Sequence, residues 1–127
     1  MADDVRSCEL CRLDQVMFET DEAYVRFDNN SLARGHVLVV PRRHVASFFD
    51  MTAAEKARVI ELLDRAKAHV ETEFKPDGYN IGVNVGRAGG QSRMHVHVHL
   101  IPRYAGDVAD PRGGIRCVLA KRTTAAH

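Results

Sequence analysis

Hydrophobic and polar residues alternate along several stretches of the chain, and this alternation predicts strands. Residues 23–28 (AYVRFD) alternate and end in a turn-forming Asp-Asn-Asn-Ser cluster. Residues 36–41 (HVLVVP) are almost entirely apolar and rich in β-branched side chains, which predicts a central strand. Residues 79–85 predict a further strand, and the glycine-rich residues 86–90 join it to an alternating segment at residues 91–102. We therefore expect the last two strands to form a hairpin.

One stretch changes to helical spacing. From Thr52 the sequence TAAEKARVIELLDRAKAHVETEF begins with a Thr-x-x-Glu capping box. Apolar residues then recur every three to four positions, at Val59, Leu63, Ala66, Val70 and Phe74. A helix of about 20 residues would span roughly 30 Å, and the following Pro-Asp-Gly ends it. These elements predict the α+β class, with an antiparallel sheet of about five strands and one long helix packed on it.

The composition limits the domain count and the partners. A chain of 127 residues suits a single domain. The 18 Lys and Arg residues nearly balance the 17 Asp and Glu residues, so there is no basic field for duplex nucleic acid. The apolar runs are much shorter than the about 20 residues of a membrane span. The 3 cysteines are too few for a disulfide framework, and no signal peptide is evident at the start, so we expect a soluble cytoplasmic protein that does not bind membranes.

The segment QSRMHVHVHLIP, residues 91–102, places a histidine at every second position. On a strand, His95, His97 and His99 would project from one face at intervals of about 7 Å, with apolar residues on the other face. Several imidazoles on one face repel one another when they are protonated, so fold stability does not require them. The alternation therefore predicts a sheet with one chemical face and one core face.

Two kinds of chemistry fit these histidines. Histidines on one strand can bind a catalytic metal if a carboxylate or water completes the shell. Alternatively, one imidazole is a nucleophile and its neighbours hold an anionic group, which suits phosphoryl chemistry. The surroundings favour the second, because Gly90, Gln91 and Ser92 lie just upstream, and Asn84 precedes them. They offer N–H groups, an amide and a hydroxyl to phosphate oxygens, and no acidic ligand is close in sequence.

The pattern HVHVHLI, preceded by GGQS and followed by PR, resembles the histidine triad (HIT) family of nucleotide hydrolases and transferases. FDNNSLARGHVLVVPRRH, the helix, PDGYNIGVNVG and GDVADPRGGIR are similar to its bacterial branch, often described as dinucleoside-polyphosphate hydrolases. The resemblance implies one HIT domain over residues 1–127, with a C-terminal tail at residues 104–127, and a two-fold homodimer. It also implies cleavage of a nucleotide phosphoanhydride or phosphoramidate, such as a diadenosine polyphosphate, with release of a nucleoside monophosphate.

The resemblance also assigns roles to individual residues. His97 would attack the α-phosphorus and form a nucleotidyl-histidine that water hydrolyses, while a backbone carbonyl would hold its other ring nitrogen. His99 would donate to a phosphate oxygen or to the departing group, and His36 would complete the polar cluster. The remaining residues implied are Ser92, Gln91, Gly90 and Asn84 at the phosphate, Asp28 at the ribose hydroxyls and Phe27 beside the base.

The segment Cys8-Glu9-Leu10-Cys11 is ambiguous by itself, because a zinc half-site, a redox pair and two unpaired reduced cysteines all fit it. In zinc-bearing members of the bacterial branch, the first triad histidine and a histidine after the Pro-basic-basic turn complete the site. These residues are His95 and His44 in this chain. The resemblance thus implies a structural Zn²⁺ site that ties residues 1–20 to the sheet.

Other functions stay open at this point. An enzyme of the same family could use an acceptor other than water, as a nucleotidyltransferase or phosphorylase. The chain could instead be a nucleotide-binding regulatory protein with incidental turnover, although a pure binder needs no nucleophile. A metal-dependent enzyme could use the histidines as ligands. The transferase, the phosphorylase and the regulatory protein would each have a nucleotide or dinucleotide as the partner.

Overall fold

The computed structural model describes residues 5–119, and the outer ends of the predicted N-terminal segment and tail lie outside this range. It contains one long helix, α1 (Ala53–Phe74), and five strands: β1 (Val16–Glu19), β2 (Ala23–Phe27), β3 (Val37–Pro41), β4 (Gly78–Val83) and β5 (Val98–Arg103). The strands form one antiparallel sheet in the order β1-β2-β3-β5-β4. The predicted α+β architecture and the β4–β5 hairpin are therefore confirmed.

The histidine segment differs from its prediction. Strand β5 begins only at Val98, so the prediction that all three histidines lie on one strand is wrong for His95 and His97. The reason is that Val96 donates its N–H to the carbonyl of Val45, in the loop after β3, at 2.8 Å. This loop carries the predicted metal ligand His44 and draws the segment out of the sheet.

Helix α1 packs on one face of the sheet. The Thr52 hydroxyl accepts from the Glu55 N–H, and the Glu55 carboxylate accepts from the Thr52 N–H, so the predicted capping box is confirmed. The helix ends where Lys75 adopts a left-handed conformation with a φ of 51°. Its buried residues and the sheet share a core that includes Val59, Leu62, Ala66 and Val70 of α1 and Val25, Val39, Val96, Val98 and Leu100 from the sheet side. Among the described residues, no helix combines the length and apolar character of a membrane-spanning segment.

The opposite face of the sheet is partly covered by the N-terminal segment. Cys8 and Leu10 pack there against Tyr24, Leu38 and Val40 and form a second apolar cluster. The Tyr24 hydroxyl donates a hydrogen bond to the Leu10 carbonyl, which fixes the segment to β2. Residues 96, 98 and 100 point to the helix-side core, so the predicted separation of a core face from a chemical face holds despite the shorter strand.

Gly35 brings the start of β3 close to the end of α1. Its φ is +84°, a conformation that side chains with a Cβ rarely adopt. A Cβ at this position would lie 2.9 Å from Cδ2 of Phe74 and 3.2 Å from Cγ1 of Val70. Gly35 therefore allows the close approach that positions the next residue, His36.

We expect Gly35→Ala to lower the free energy of unfolding by roughly 1–3 kcal/mol, because it combines overpacking with an unfavourable φ. Urea denaturation measures the change. Gly78→Ala is the matched control, since a Cβ at Gly78 has no atom within 4 Å, and it should change the stability by less than about 0.5 kcal/mol. Equal destabilisation of the two variants would contradict the interpretation.

Candidate active site and metal cluster

A cleft of about 200 Å³ opens on the sheet face that α1 leaves free. It brings together five of the residues that the sequence analysis selected, Asp28, Asn84, Ser92, His97 and His99. The wall also contains residues to which the sequence analysis gave no role: Glu9, Leu10, Arg26, Asn29, Asn30 and Arg93. The N-terminal segment therefore forms part of the cleft as well as part of the predicted metal site.

A backbone carbonyl determines which nitrogen of His97 carries the proton. Nδ1 of His97 lies 2.9 Å from the carbonyl oxygen of His95. A carbonyl oxygen can only accept, so Nδ1 is the protonated donor and Nε2 keeps its lone pair. The expected carbonyl partner is thus present, and the free nitrogen has the electronic state that a nucleophile requires.

A second chain of hydrogen bonds determines which nitrogen of His99 carries the proton. The Leu32 N–H donates to Nδ1 of His36 at 3.1 Å, so the proton of His36 is on Nε2. Nε2 of His36 lies 3.0 Å from Nδ1 of His99 and donates to it. His99 must then carry its own proton on Nε2. His36 is only 1% exposed and acts behind His99 rather than in the cleft wall.

Burial keeps both of these rings neutral. It lowers the pKa of His99 to about 4, and the neighbouring rings of His97 and His36 add to this effect, while Asp28 opposes it. Burial also lowers the pKa of His36, again against the attraction of Asp28. Near neutral pH, His99 is therefore a neutral hydrogen-bond donor rather than a cation.

Asp28 lies at the end of β2 beside these rings. Its Oδ1 accepts from the Asn30 N–H at 2.9 Å, and its Oδ2 lies 3.3 Å from Nε2 of His36. Ligand atoms of Asp28, His36 and His99 lie within 4.8 Å of one another. However, the two histidine nitrogens that face each other share a hydrogen bond, which leaves no pair of free lone pairs for a metal.

The structure does not bring Gln91 or Gly90 into the cleft wall. The Gln91 side chain is buried, and its amide oxygen accepts from the Gly86 N–H while its amide nitrogen donates to the carbonyls of Ala46 and Arg93. Its hydrogen-bonding groups thus hold the loop that carries Ser92. Gly90 lies behind the wall, against the Asn84 side chain.

Phe27 also lies away from the cleft. Its ring packs edge-to-face on Phe74 at the end of α1, with 6.3 Å between the ring centroids. This contact places Phe27 on the helix side of the sheet, because side chains alternate along β2. The preceding residue on the cleft side is Arg26.

The four predicted metal ligands come together. Sγ of Cys8 and Sγ of Cys11 each lie 3.4 Å from Nδ1 of His95, and Sγ of Cys11 lies 3.2 Å from Nδ1 of His44. All four ligand atoms lie within 4.8 Å of one another. In a tetrahedral zinc site, Zn–S bonds of about 2.3 Å and Zn–N bonds of about 2.0 Å place S and N about 3.5 Å apart. The side chains therefore fit a Cys₂His₂ site.

The surroundings of the cluster suit a metal ion. Nε2 of His95 donates to the Pro41 carbonyl at 2.7 Å, so the lone pair of Nδ1 faces the two sulfurs. Burial and the neighbouring Cys8 raise the pKa of the Cys11 thiol to about 11. A divalent cation removes the cost of two adjacent thiolates, because it binds both.

The α+β fold, the histidine-lined cleft and the separate Cys₂His₂ cluster together indicate the protein family. The HIT domain model matches residues 12–106, and the chain belongs to this family. AP-4-A phosphorylase of Mycobacterium tuberculosis is 39% identical over 74 residues, 58% of this chain and 38% of the relative. Bis(5'-adenosyl)-triphosphatase of Dictyostelium discoideum is 33% identical over 94 residues, 74% of this chain and 63% of the relative. The chain thus spans less than two thirds of either relative.

A solved structure agrees with this assignment. A Zn-bound histidine triad family protein from Mycobacterium smegmatis is 26% identical, with a TM-score of 0.75 over 84% of this chain and 82% of that chain. The similarity therefore covers the sheet and the helix. Together with the family match, it confirms the HIT-like fold that the sequence motifs implied.

The lowered pKa values predict a loss of stability in acid. The ordinary pKa of histidine is 6.5, and that of His99 is about 4 in the folded state. Between these values the unfolded state binds more protons than the folded state, so the free energy of unfolding falls as the pH drops from 6.5 towards 4. We expect His99→Asn to show a smaller loss over this range. Melting temperatures at several pH values test this, and parallel profiles for the two proteins would contradict it.

Proposed function

We propose that the protein cleaves a nucleotide phosphoanhydride or phosphoramidate, such as a dinucleoside polyphosphate, and releases a nucleoside monophosphate. The observation that carries the proposal is the 2.9 Å hydrogen bond from Nδ1 of His97 to the His95 carbonyl, which leaves Nε2 free to attack. The names of the relatives, a triphosphatase and a phosphorylase of adenosine dinucleotides, support the same substrate class. The cytoplasmic location and the homodimer stay predictions.

In the first proposed step, Nε2 of His97 attacks the α-phosphorus. The new P–N bond forms as the bond to the leaving oxygen or nitrogen breaks, and the leaving group takes up a proton. Ser92, in the cleft wall, would donate a hydrogen bond to the leaving group, and Nε2–H of His99 would donate one to a phosphate oxygen. Neutral donors of this kind stabilise the negative charge that develops in the transition state.

In the second step, water attacks the same phosphorus. The P–N bond breaks, Nε2 of His97 regains its lone pair, and the water proton leaves to the solvent or to the phosphate. Asp28 would accept hydrogen bonds from the ribose hydroxyls through the lone pairs that the Asn30 N–H leaves available. Asn84, which also lines the cleft, would contact the phosphate. Gln91 would support both steps by holding the Ser92 loop.

A second candidate is the phosphorylase reaction, in which inorganic phosphate replaces water in the second step. The name of the Mycobacterium tuberculosis relative favours it. Both reactions share the first step, and only the product distinguishes them. Water gives a nucleoside monophosphate, whereas phosphate gives a nucleoside diphosphate.

We expect His97→Ala to lower kcat/KM by at least about a thousandfold, because the variant lacks the nucleophile. The assay uses a panel of dinucleoside polyphosphates and nucleoside phosphoramidates, with and without inorganic phosphate. Mass spectrometry of the quenched parent protein should detect one added nucleotidyl group that is absent in His97→Ala. His69→Ala is the matched control, since His69 contacts Phe18 far from the cleft, and it should retain the activity. Equal turnover by His97→Ala and the parent would exclude the mechanism.

We also propose that Cys8, Cys11, His44 and His95 hold a structural Zn²⁺. The ligand geometry and the zinc-bound structural relative support this assignment. A closed site with four protein ligands leaves no open position for a substrate, so the ion would stabilise the fold rather than take part in the reaction. A metal-dependent enzyme, the other interpretation of the histidines, predicts a folded but inactive protein after metal removal.

We expect purified protein to contain about one zinc per chain, and Cys11→Ala to lose most of it and to melt several degrees lower. Elemental analysis and calorimetry measure the two effects. Cys117→Ala should keep the zinc and the melting temperature, because Cys117 is exposed and distant from the cluster. Loss of activity after chelation without any loss of folded structure would contradict a structural role.

A further inference from the structure

The cleft wall contains one permanent cation that a ligand can reach. Two carboxylates, Glu9 and Asp28, and two guanidinium groups, Arg26 and Arg93, line the cleft. Arg26 is only 1% exposed, and its Nη2 donates to Oε2 of Glu9 at 3.3 Å. Arg93, by contrast, keeps 47% of its side chain exposed. Among the described residues of the cleft wall, Arg93 is therefore the accessible positive charge.

Arg93 is held at the cleft by its main chain and by its side chain. Its carbonyl accepts from the buried Gln91 amide at 2.9 Å, and its Nη2 lies 2.8 Å from Oε1 of Glu9. Arg26 and Asn29 use the other oxygen of Glu9, Oε2. The contact with Glu9 engages one nitrogen of the fork, so other N–H groups of Arg93 can donate to a ligand. An exposed ion pair contributes little to stability, so replacing Arg93 should leave the fold intact.

The position of Arg93 in the chain relates it to the leaving group. Arg93 directly follows Ser92, and both residues line the cleft. In the proposed reaction, Ser92 contacts the leaving group, and Asp28 holds the ribose of the nucleotide that is transferred. An in-line displacement places the leaving group opposite the attacking Nε2 of His97. We therefore expect a phosphate chain that departs past Ser92 to come within reach of the Arg93 guanidinium.

We propose that Arg93 binds the phosphate chain of the leaving group and makes the protein prefer polyphosphate anhydrides to phosphoramidates. This inference rests on the proposed function and narrows its substrate. When the P–O bond of an anhydride breaks, its electron pair stays on the leaving oxygen, so negative charge grows on a chain that is already anionic. The amine of a phosphoramidate takes up a proton and departs without negative charge. A fixed cation beside the leaving group thus accelerates only the first reaction.

The other groups at the reacting phosphate do not supply this charge. Ser92 and Asn84 have neutral side chains, and burial lowers the pKa of His99 to about 4, so His99 is uncharged near neutral pH. A guanidinium group forms charge-assisted and often paired hydrogen bonds to phosphate oxygens, which are stronger than bonds from neutral donors. Arg93 therefore determines whether a polyanionic leaving group is favoured in this cleft.

The test compares two substrates that transfer the same adenylyl group to His97. Diadenosine tetraphosphate releases ATP, whereas adenosine phosphoramidate releases ammonia. The assay uses the zinc-replete protein without added Mg²⁺, because Mg²⁺ binds phosphate chains and neutralises part of their charge. We expect Arg93→Gln to lower kcat/KM for the tetraphosphate roughly tenfold to a hundredfold, and kcat/KM for the phosphoramidate by less than about twofold. Equal losses for the two substrates overturn the inference.

Two further variants separate the effect of this charge from support of the fold. Arg58→Gln is the matched control, because Arg58 is also a partly exposed arginine in ion pairs with glutamates, but it lies on α1 at the other face of the sheet. It should leave both kcat/KM values unchanged. Arg93→Lys keeps the charge but loses the fork, so it should retain part of the preference, and it serves if Arg93→Gln does not fold.

Binding without turnover shows which half of the substrate Arg93 contacts. In the His97→Ala background, which lacks the nucleophile, calorimetry compares diadenosine tetraphosphate with adenosine monophosphate. Adding Arg93→Gln should weaken the tetraphosphate roughly tenfold and leave the monophosphate unchanged. Equal weakening of both ligands means that Arg93 contacts the transferred half or supports the fold, and it overturns the inference.

The proposed reaction fails separately from this inference. Binding of the tetraphosphate that depends on Arg93, without turnover of either substrate by the parent, contradicts only the reaction. Turnover of both substrates through His97, with equal losses in Arg93→Gln, contradicts only the present inference.

Discussion

The site depends on hydrogen bonds between backbone groups and histidine rings. These bonds determine which nitrogen of each ring carries the proton. The Pro41 carbonyl turns Nδ1 of His95 towards the two cysteines, and the His95 carbonyl leaves Nε2 of His97 free. The Leu32 N–H acts through His36 to leave a proton on Nε2 of His99. Three chemically identical rings therefore present different groups: His95 a lone pair on Nδ1 to the cysteines, His97 a lone pair on Nε2, and His99 an N–H on Nε2. Because backbone positions are set by the fold, these states need no further adjustment when a ligand binds.

The N-terminal segment links the metal cluster to the cleft. Cys8 and Cys11 point to His95 and His44, while the residues between them, Glu9 and Leu10, form part of the cleft wall. Short segments of this kind bury too little apolar surface to hold one conformation by themselves. The proposed metal ion would therefore add to the packing of Cys8 and Leu10 in holding this part of the cleft wall, without touching the substrate.

The sequence predicted the features that depend on local pattern. The capping box at Thr52, the alternation around His97 and the family motifs led to the sheet, the helix and five of the residues that line the cleft. The features that it missed depend on contacts distant along the chain. Strand β1 has only four residues and gains its identity from pairing with β2, and β5 starts late because of a bond to the loop after β3. Arg26 was passed over because an arginine in an alternating strand normally points to solvent.

The register of the sheet determines which side chains line the cleft and which ones pack under α1. Val25, Val39 and Val98 pair across the same three strands as Arg26, Leu38 and His99, one position away, and their side chains pack under α1. Since neighbouring positions face opposite sides, a slip of one residue would move Arg26 into the helix-side core and a valine into the cleft. The core therefore excludes a slip of one residue by the cost of burying a charge among apolar side chains. The spacing of Arg26 and His99 across the cleft floor is thus maintained by valines on the other face, none of which lines the cleft.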